Sequence, residues 1–544
     1  MAKKRYIAAG VLLLLAVSAA ARPITLEWLS SKPRSYAKDF YIWRYFDQNI
    51  TPAEADSAFY QLRSVNWKLI RRYAKKTKKP GFAFADRCHR LTPDELPAKE
   101  AACTEIAVTP YKYGKLPRYK QFYLLKQLQG YPDTMAWMEV MAAKEPFALV
   151  LKQTPDTFFT LFNGCGRTWR KAHLNHPIPT SYLDTLRHDR RFAQSVKLIV
   201  TDPGLDQLQY TLLGISPDGL GHQTLFFLAM NALRHGHPAL AKFYLEAALQ
   251  KAWFRFDKDK TLFWLYQIDK NPKTLEALSK SFDLNIYTLF ARELLGRPWP
   301  PVISPSFEKG HCGYDISDPF AWLKVLDDIG DKNTTYLTRY ARKFRCADTL
   351  GHYSFLMERA AKWRTHYFPI PYSGALEGLT TDQKAFLLAL ARQESRFIPS
   401  SISPSYALGM MQIMPFLVKA LAKERGEPFD LDAMFDPETN IAYARTHMKF
   451  LQRRLHHPLF LSYAYNGGIG FTKRMLASRG LFKKGKYEPW LSMELVYYDE
   501  SRRYGKKVLA NYIVYKKLLG EPVTVSSVVE KAVAPSRKGR HRSR

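Results

Sequence analysis

Acidic residues are few in this chain: 49 Asp and Glu stand against 82 Lys and Arg in 544 residues, a formal net charge of +33. That excess favours polyanions through long-range attraction. Nucleic acid is the usual polyanion, yet there is no zinc-finger spacing, no basic zipper and no RNP-like strand, and the Lys and Arg are spread along the whole chain. No nucleic-acid partner is expected. Cysteine is sparse as well. Cys88, Cys103, Cys165, Cys312 and Cys346 show no CxxC spacing, which argues against a zinc ribbon or a thioredoxin-like centre. His235 with His237, and His456 with His457, lack a matching carboxylate or cysteine and read as solvated loop faces, so neither a metal nor a cofactor is expected. Strand-like alternation is scarce, and no repeat of fixed period is present. The apolar run from Ile7 to Ala20 is short for a membrane span.

What is present begins with that run. It follows Lys3, Lys4 and Arg5 and ends in the small residues Ser18 to Ala21, the pattern of a secretory signal peptide over residues 1–21 with cleavage after Ala20 or Ala21. An uncleaved anchor is the alternative. No cysteine stands at the cleavage site to carry a lipid, so the expectation is an exported, periplasmic protein, peripheral to the membrane at most. In that compartment the positive charge suits the free peptide carboxylates of the cell wall or anionic lipid. Export also permits disulfides; nearness in sequence suggests Cys88 with Cys103 and Cys312 with Cys346, with other connectivities left open.

Hydrophobic residues make up 46% of the chain, enough for a large core and more than one structural unit. From about Ile24 to Tyr367, apolar residues return every three or four positions and are interrupted by Pro, Gly or Asp, the pattern of short amphipathic helices. The clearest unit is Gln223 to Leu249, broken at Arg234-His235-Gly236-His237-Pro238, where Gly ends one helix and Pro starts the next. Similar pairs are drawn around Asp318 to Lys343 and from Cys346 to Trp363. Each hairpin leaves an apolar flank for a neighbour to cover, so residues 22–370 are expected to stack into a superhelical array, with a compact bundle as the alternative. Phe368 to Gly374 reads as a linker, 371–520 as a second helical domain, and 521–544 as a disordered basic tail.

Chemistry concentrates in the second domain. Thr380 or Thr381 is a good N-cap, and the helix that follows places Phe386, Leu387, Leu390 and Ala391 on one face. Glu394 falls on that same face, four residues after Leu390 and seven after Leu387. A carboxyl held against apolar side chains keeps its proton to higher pH, which suits a general acid. The competing reading pairs Glu394 with Arg392 or Arg396 on a solvated face.

Three further segments keep Glu394 company: Gly409-Met410-Met411-Gln412-Ile413-Met414-Pro415, Ala464-Tyr465-Asn466-Gly467-Gly468 and Glu500-Ser501-Arg502-Arg503-Tyr504. With ARQES at Ala391 to Ser395 and Asp436 to Ile441, this ordered set resembles the catalytic domain of the soluble lytic transglycosylases across about Leu379 to Leu519. Tyr287 to Gly296 resembles, more weakly, an element of that family's helical region. The resemblance implies an all-α fold, an N-terminal superhelical array of helical hairpins followed by a lysozyme-like α-helical catalytic domain.

It also implies an activity: cleavage of the β-1,4 bond between N-acetylmuramic acid and N-acetylglucosamine in peptidoglycan glycan strands, with a 1,6-anhydromuramoyl product and Glu394 acting as general acid and then base. By the same resemblance Ser403 and Gln412 would hydrogen-bond the N-acetyl groups or orient the acid, Met414 would pack on a sugar face, Tyr465 would face the ring that becomes cationic, and Glu500 would line the cleft. Asn466 and Ser395 would each serve as ligand contact or as cap, and Tyr504 is read as core. Two departures stand out: Tyr406, where the family has a small residue and a bulky ring would reshape the cleft, and Gly467, where the family has Ala. A second hypothesis is a non-catalytic scaffold whose array recruits cell-wall synthesis proteins.

Overall fold

The structure is a computed structural model that describes residues 23–478 and 480–533. The expected signal segment 1–21 lies outside the described residues. Among those residues no helix is long and apolar enough to cross a membrane. The fold is all-α; the one two-stranded sheet among the described residues pairs Val302–Ile303 in parallel with His366–Tyr367.

The hairpin expected near Gly236 forms. The helix His222–Arg234 ends with Gly236 at φ 79°, and Pro238 opens the helix Pro238–Lys251. Arg255–Asp269, Pro272–Ser279 and Ile286–Leu294 follow, each packed on its predecessor. Phe263 and Trp264, both fully buried, fill the seam between them, and burial of each contributes about 2–3 kcal/mol. Farther on, Pro319–Ile329 and Thr334–Ala341 form in the second expected segment. The third, Cys346 to Trp363, is not a pair. After one turn at Ala347–Thr349 it continues as a single helix, Leu350–Ala360, whose one glycine, Gly351, sits in the first turn where it does not divide the helix. Cys88 pairs with Cys103 and Cys312 with Cys346, while Cys165 is buried and free.

The stretch Phe368 to Gly374 interrupts helix, as read, and is packed in place. Its prolines stop the helix, but Phe368 is buried beneath the Arg392 guanidinium at 4.0 Å, and the Tyr515 hydroxyl donates to the Pro369 carbonyl at 3.0 Å. The second half is organised around the long helix Asp499–Leu518, which packs on Thr381–Glu394, on Pro458–Gly467 and on the array helix Ile286–Leu294. Buried polar ties join the halves: Tyr287 donates to Glu494, whose other oxygen pairs with Lys506. Three-way contacts of this kind fix one docking geometry, because leaving any member unpaired would be costly.

Residues 521–533, the first part of the segment expected to be a disordered tail, are folded. Val525–Val529 is a helix whose Val525, Val528 and Val529 are buried, and Glu293 of the array caps it by accepting from Val525 N at 2.5 Å and Ser526 Oγ at 2.8 Å. A run of valines supplies the apolar face that composition alone conceals among the basic residues. The end 534–544 lies outside the described residues. His457, read as solvated, is buried. Its Nδ1 accepts from Leu459 N at 3.1 Å to cap Pro458–Gly467, and its Nε2 meets the Val528 carbonyl at 2.8 Å.

Candidate functional site

The helix carrying Glu394 runs Thr381–Glu394 and opens with a capping box, in which Thr380 Oγ1 accepts from Gln383 N at 3.2 Å and Gln383 Oε1 accepts from Thr380 N at 3.1 Å. Ala385 through Arg392 are all buried, so the helix is clamped along its length and its last residue is held in place. It ends at Ser395, whose Oγ donates to the Met410 carbonyl at 2.8 Å and accepts from Ile398 N at 3.1 Å. Ser395 is thus the structural cap that its position suggested.

Glu394 does not pair with Arg392 or Arg396. Both guanidiniums turn to Glu358, a buried carboxylate of the Leu350–Ala360 helix; Arg392 Nη2 lies 2.5 Å from Glu358 Oε1 and Arg396 pairs with Oε2. With its sequence neighbours committed elsewhere, Glu394 accepts one hydrogen bond, from the Tyr504 hydroxyl at 2.6 Å. One flank of the residue remains open while protein closely surrounds the carboxyl. Burial first, and then the charge of Glu500, push the carboxyl up to about 7, with the Tyr504 hydrogen bond pulling the other way.

The loop from Ser401 to Met414 packs beside the acid. Leu408 bridges to both Ile402 and Ile413, and Gly409 turns the chain at φ 76°. A Cβ on Gly409 would stand 2.1 Å from the Met434 carbonyl oxygen and 2.5 Å from Asn440 Nδ2, so only glycine fits. Fully buried Asn440 pins the loop: its Oδ1 accepts from Met411 N at 2.7 Å and its Nδ2 donates to Leu408 O at 3.3 Å. Tyr465, at the end of Pro458–Gly467, donates to the Met411 carbonyl at 2.8 Å, and the nearby Glu394 charge, after burial, raises the Tyr465 hydroxyl well above its usual range.

Glu394, Tyr465 and Glu500 are therefore brought together, and Asn466 joins them by donating to Glu500 Oε1 at 2.8 Å while accepting from Ser501 Oγ at 2.7 Å. Ser403, Gln412 and Met414 reach the acid only through the loop that bears them. Ser403 Oγ accepts from Ala407 N at 2.9 Å and closes the loop's tip, and Gln412 Nε2 donates to Gly409 O at 2.8 Å and Ser401 O at 3.2 Å. Met414 is half-buried at the start of Pro415–Arg425. Tyr504, read as core, is the residue that sequence reasoning missed. It lies four places after Glu500, hence on one helix face with it, and that spacing was the available signal.

Both departures acquire a cause. Tyr406 packs into the array: buried at φ 68°, its ring lies 5.6 Å from that of Trp43 and 5.9 Å from that of Phe40, and its hydroxyl accepts from Asn66 Nδ2 at 3.2 Å. It anchors the loop to the array instead of narrowing a cleft. At Gly467 a Cβ would meet Ser501 Oγ at 2.6 Å and Phe471 Cδ1 at 2.8 Å, so alanine has no room beside the Asn466–Ser501 bond.

Residues 374–487 match the model of the Transglycosylase SLT domain. The chain carries an SLT domain. Among curated relatives, the soluble lytic murein transglycosylase of Escherichia coli K12 is 30% identical over 169 residues, covering 30% of this chain and 26% of that protein. Its counterpart in Salmonella typhimurium is 28% identical over 312 residues, covering 54% of this chain and 44% of the relative. The matches thus span less than half of those relatives. Of solved structures, the 70 kDa soluble lytic transglycosylase of Escherichia coli is similar at a TM-score of 0.49 and 18% identity, over 93% of this chain and 84% of that one. The SLT match holds Glu394, the Gly409 loop, Tyr465 and Asn466, and ends before Glu500 and Tyr504.

Proposed function

We propose that this protein is a peptidoglycan lytic transglycosylase. Residues 371–520 act as its catalytic unit, residues 22–370 as the superhelical array that holds it, and glycan strands of the periplasmic cell wall are its substrate. The observation that carries this reading is Glu394: a carboxyl with no cationic partner among the described residues, held at about 7 and fixed by Tyr504 beside Tyr465. Such a group is protonated in part at neutral pH and can give its proton to the bridging oxygen of a glycosidic bond.

As that bond breaks, positive charge grows on the muramoyl ring, and the Tyr465 oxygen stabilises it. Glu394, now ionised, recovers a proton from the carbon-6 hydroxyl of the same sugar. That oxygen closes on the anomeric carbon to form the 1,6-anhydro ring. The nucleophile is already tethered to the reacting centre, so no second reactant has to be brought in. The similarity to proteins named soluble lytic murein transglycosylases supports the same substrate.

Mass spectrometry of a peptidoglycan digest tests the reading: 1,6-anhydromuropeptides, one water lighter than hydrolysis products, are the expected result. Reducing-end muramic acid as the sole product would instead make the protein a lysozyme-type hydrolase. A further variant bears on the acid alone. Tyr504→Phe removes the hydrogen bond that lowers the Glu394 carboxyl, so the alkaline limb of the pH–rate profile is expected to move upward. A rate loss of about tenfold should accompany it as the acid loses its fixed orientation. A limb that stays in place would show that the hydroxyl does not tune the acid.

A further inference from the structure

The seam between the array and the catalytic half is not filled everywhere. The array helices Arg167–Leu174 and Phe192–Thr201 face the catalytic-half helix Ile469–Ala477 across a cavity of about 360 Å³. Its apolar wall is Leu198 and Pro203 from the array, with Met475, Leu481 and Tyr497 opposite. Its charged groups are three guanidiniums, Arg167, Arg170 and Arg474, against one carboxylate, Asp202. Asp202 gives both oxygens to Arg167, at 2.8 Å each, and Oδ1 also accepts from Gly204 N at 2.9 Å. Arg170 is only 3% exposed; its Nε donates to the Phe162 carbonyl at 2.8 Å, and it pairs with no carboxylate among the described residues. Burial pushes its guanidinium below the usual range, with Cys165 and Asp202 pulling the other way. Arg474 is exposed and makes no ion pair or hydrogen bond with a described residue. Behind the walls the charges balance: Lys197 pairs with Asp499 at 2.5 Å, and buried Arg234 and Glu488 oppose one another. The cavity itself is left with two cations, Arg170 and Arg474, and no anion to serve them.

We propose that this cavity is a binding site for a small amphiphilic anion, a single aliphatic chain ending in one carboxylate. Apolar walls with a few placed polar groups are the make-up of a small-molecule pocket, and the volume is in the same range. The chain covers Leu198, Met475 and Leu481 and removes them from water. The carboxylate accepts from Arg170 and Arg474 through charge-assisted bonds, and a buried guanidinium without an anion gains most from such a head. A sugar would set its hydroxyls against the apolar wall, so glycan is not the occupant. The ligand touches both halves of the chain, and its binding therefore adds to the free energy that docks them. None of this depends on the lyase reading.

The probe is decanoate, titrated into the full chain below its micelle-forming concentration and followed by calorimetry and by Tm. Saturable one-to-one binding with a rise in Tm is expected. Decanol, which lacks the charge, should bind about tenfold more weakly, and decyltrimethylammonium, which reverses it, should leave Tm where it was. Arg474→Glu changes an exposed residue and is expected to weaken decanoate about tenfold or more. Leu198→Trp fills the space from a half-buried position and should weaken decanoate and decanol alike. Both variants are first required to match the wild-type Tm without ligand, which separates loss of the site from loss of the fold. Decanoate and decanol binding equally well would overturn the anionic head, and decanoate binding that neither substitution weakens would overturn the site. An absence of binding overturns the proposal and leaves the activity of Glu394 untouched.

Discussion

Glu394→Gln is expected to lower kcat by about a thousandfold or more, while glycan binding survives, because one carboxyl performs both proton transfers and glutamine can perform neither. Glutamine keeps the shape and can still accept from the Tyr504 hydroxyl, so the loss would report chemistry and not collapse. The pH dependence sharpens the test. Only the protonated acid starts the reaction, so the wild-type rate should fall as pH rises through about 7. A variant retaining about a tenth of the wild-type rate would remove Glu394 from the mechanism.

The same substitution has a consequence for stability. In the unfolded chain Glu394 titrates at its ordinary value of 4.5; folding raises it to about 7. Between those values the folded chain binds more protons than the unfolded one, so this group's stability is complete below the lower value and declines as pH rises through the upper one. A glutamine side chain, having no proton to lose, carries no such penalty. The Glu394→Gln variant is therefore expected to be more stable than wild type at pH 8, by on the order of 2 kcal/mol once the open flank of the carboxyl is allowed for, with the gap closing toward pH 4. Chemical denaturation at the two pH values measures it. An unchanged gap would mean that the carboxyl is not held above its ordinary range.

Local signals were legible in the sequence and distant partners were not. The cap at Thr380, the apolar face leading to Glu394 and the break at Gly236 are each written within a few residues, and each formed as read. Tyr504 reaches Glu394 across 110 positions, and Tyr406 reaches Asn66 across 340. No spacing rule spans such distances. A tyrosine on a helix face looks the same whether it fills a core or holds an acid. The first part of the tail was misread for a related reason: basic residues attract water, but the Val525–Val529 face buries itself against partners far from it in the chain, as Phe368 does in the non-helical break.

Glu358 makes the largest of these distant demands, and Glu358→Ala is expected to cost about 3–5 kcal/mol of stability. Its two oxygens take both Arg392 and Arg396, and Oε1 also accepts from Tyr367 N at 3.0 Å. Truncation leaves Arg392, only 8% exposed, charged and unpaired in the interior, and deprives a buried backbone N–H of its acceptor. Glu358→Gln keeps some of the hydrogen bonds but not the charge, so its loss should fall between wild type and alanine. Because Arg392 and Arg396 bracket Glu394, freeing them also releases two cations beside the acid, and either one turning toward it would lower its proton affinity. Denaturant midpoints rank the three proteins. An activity profile whose alkaline limb shifts to lower pH in Glu358→Gln would show that the clamp also keeps positive charge away from the acid, whereas midpoints indistinguishable across the series would show that the pairing carries no weight.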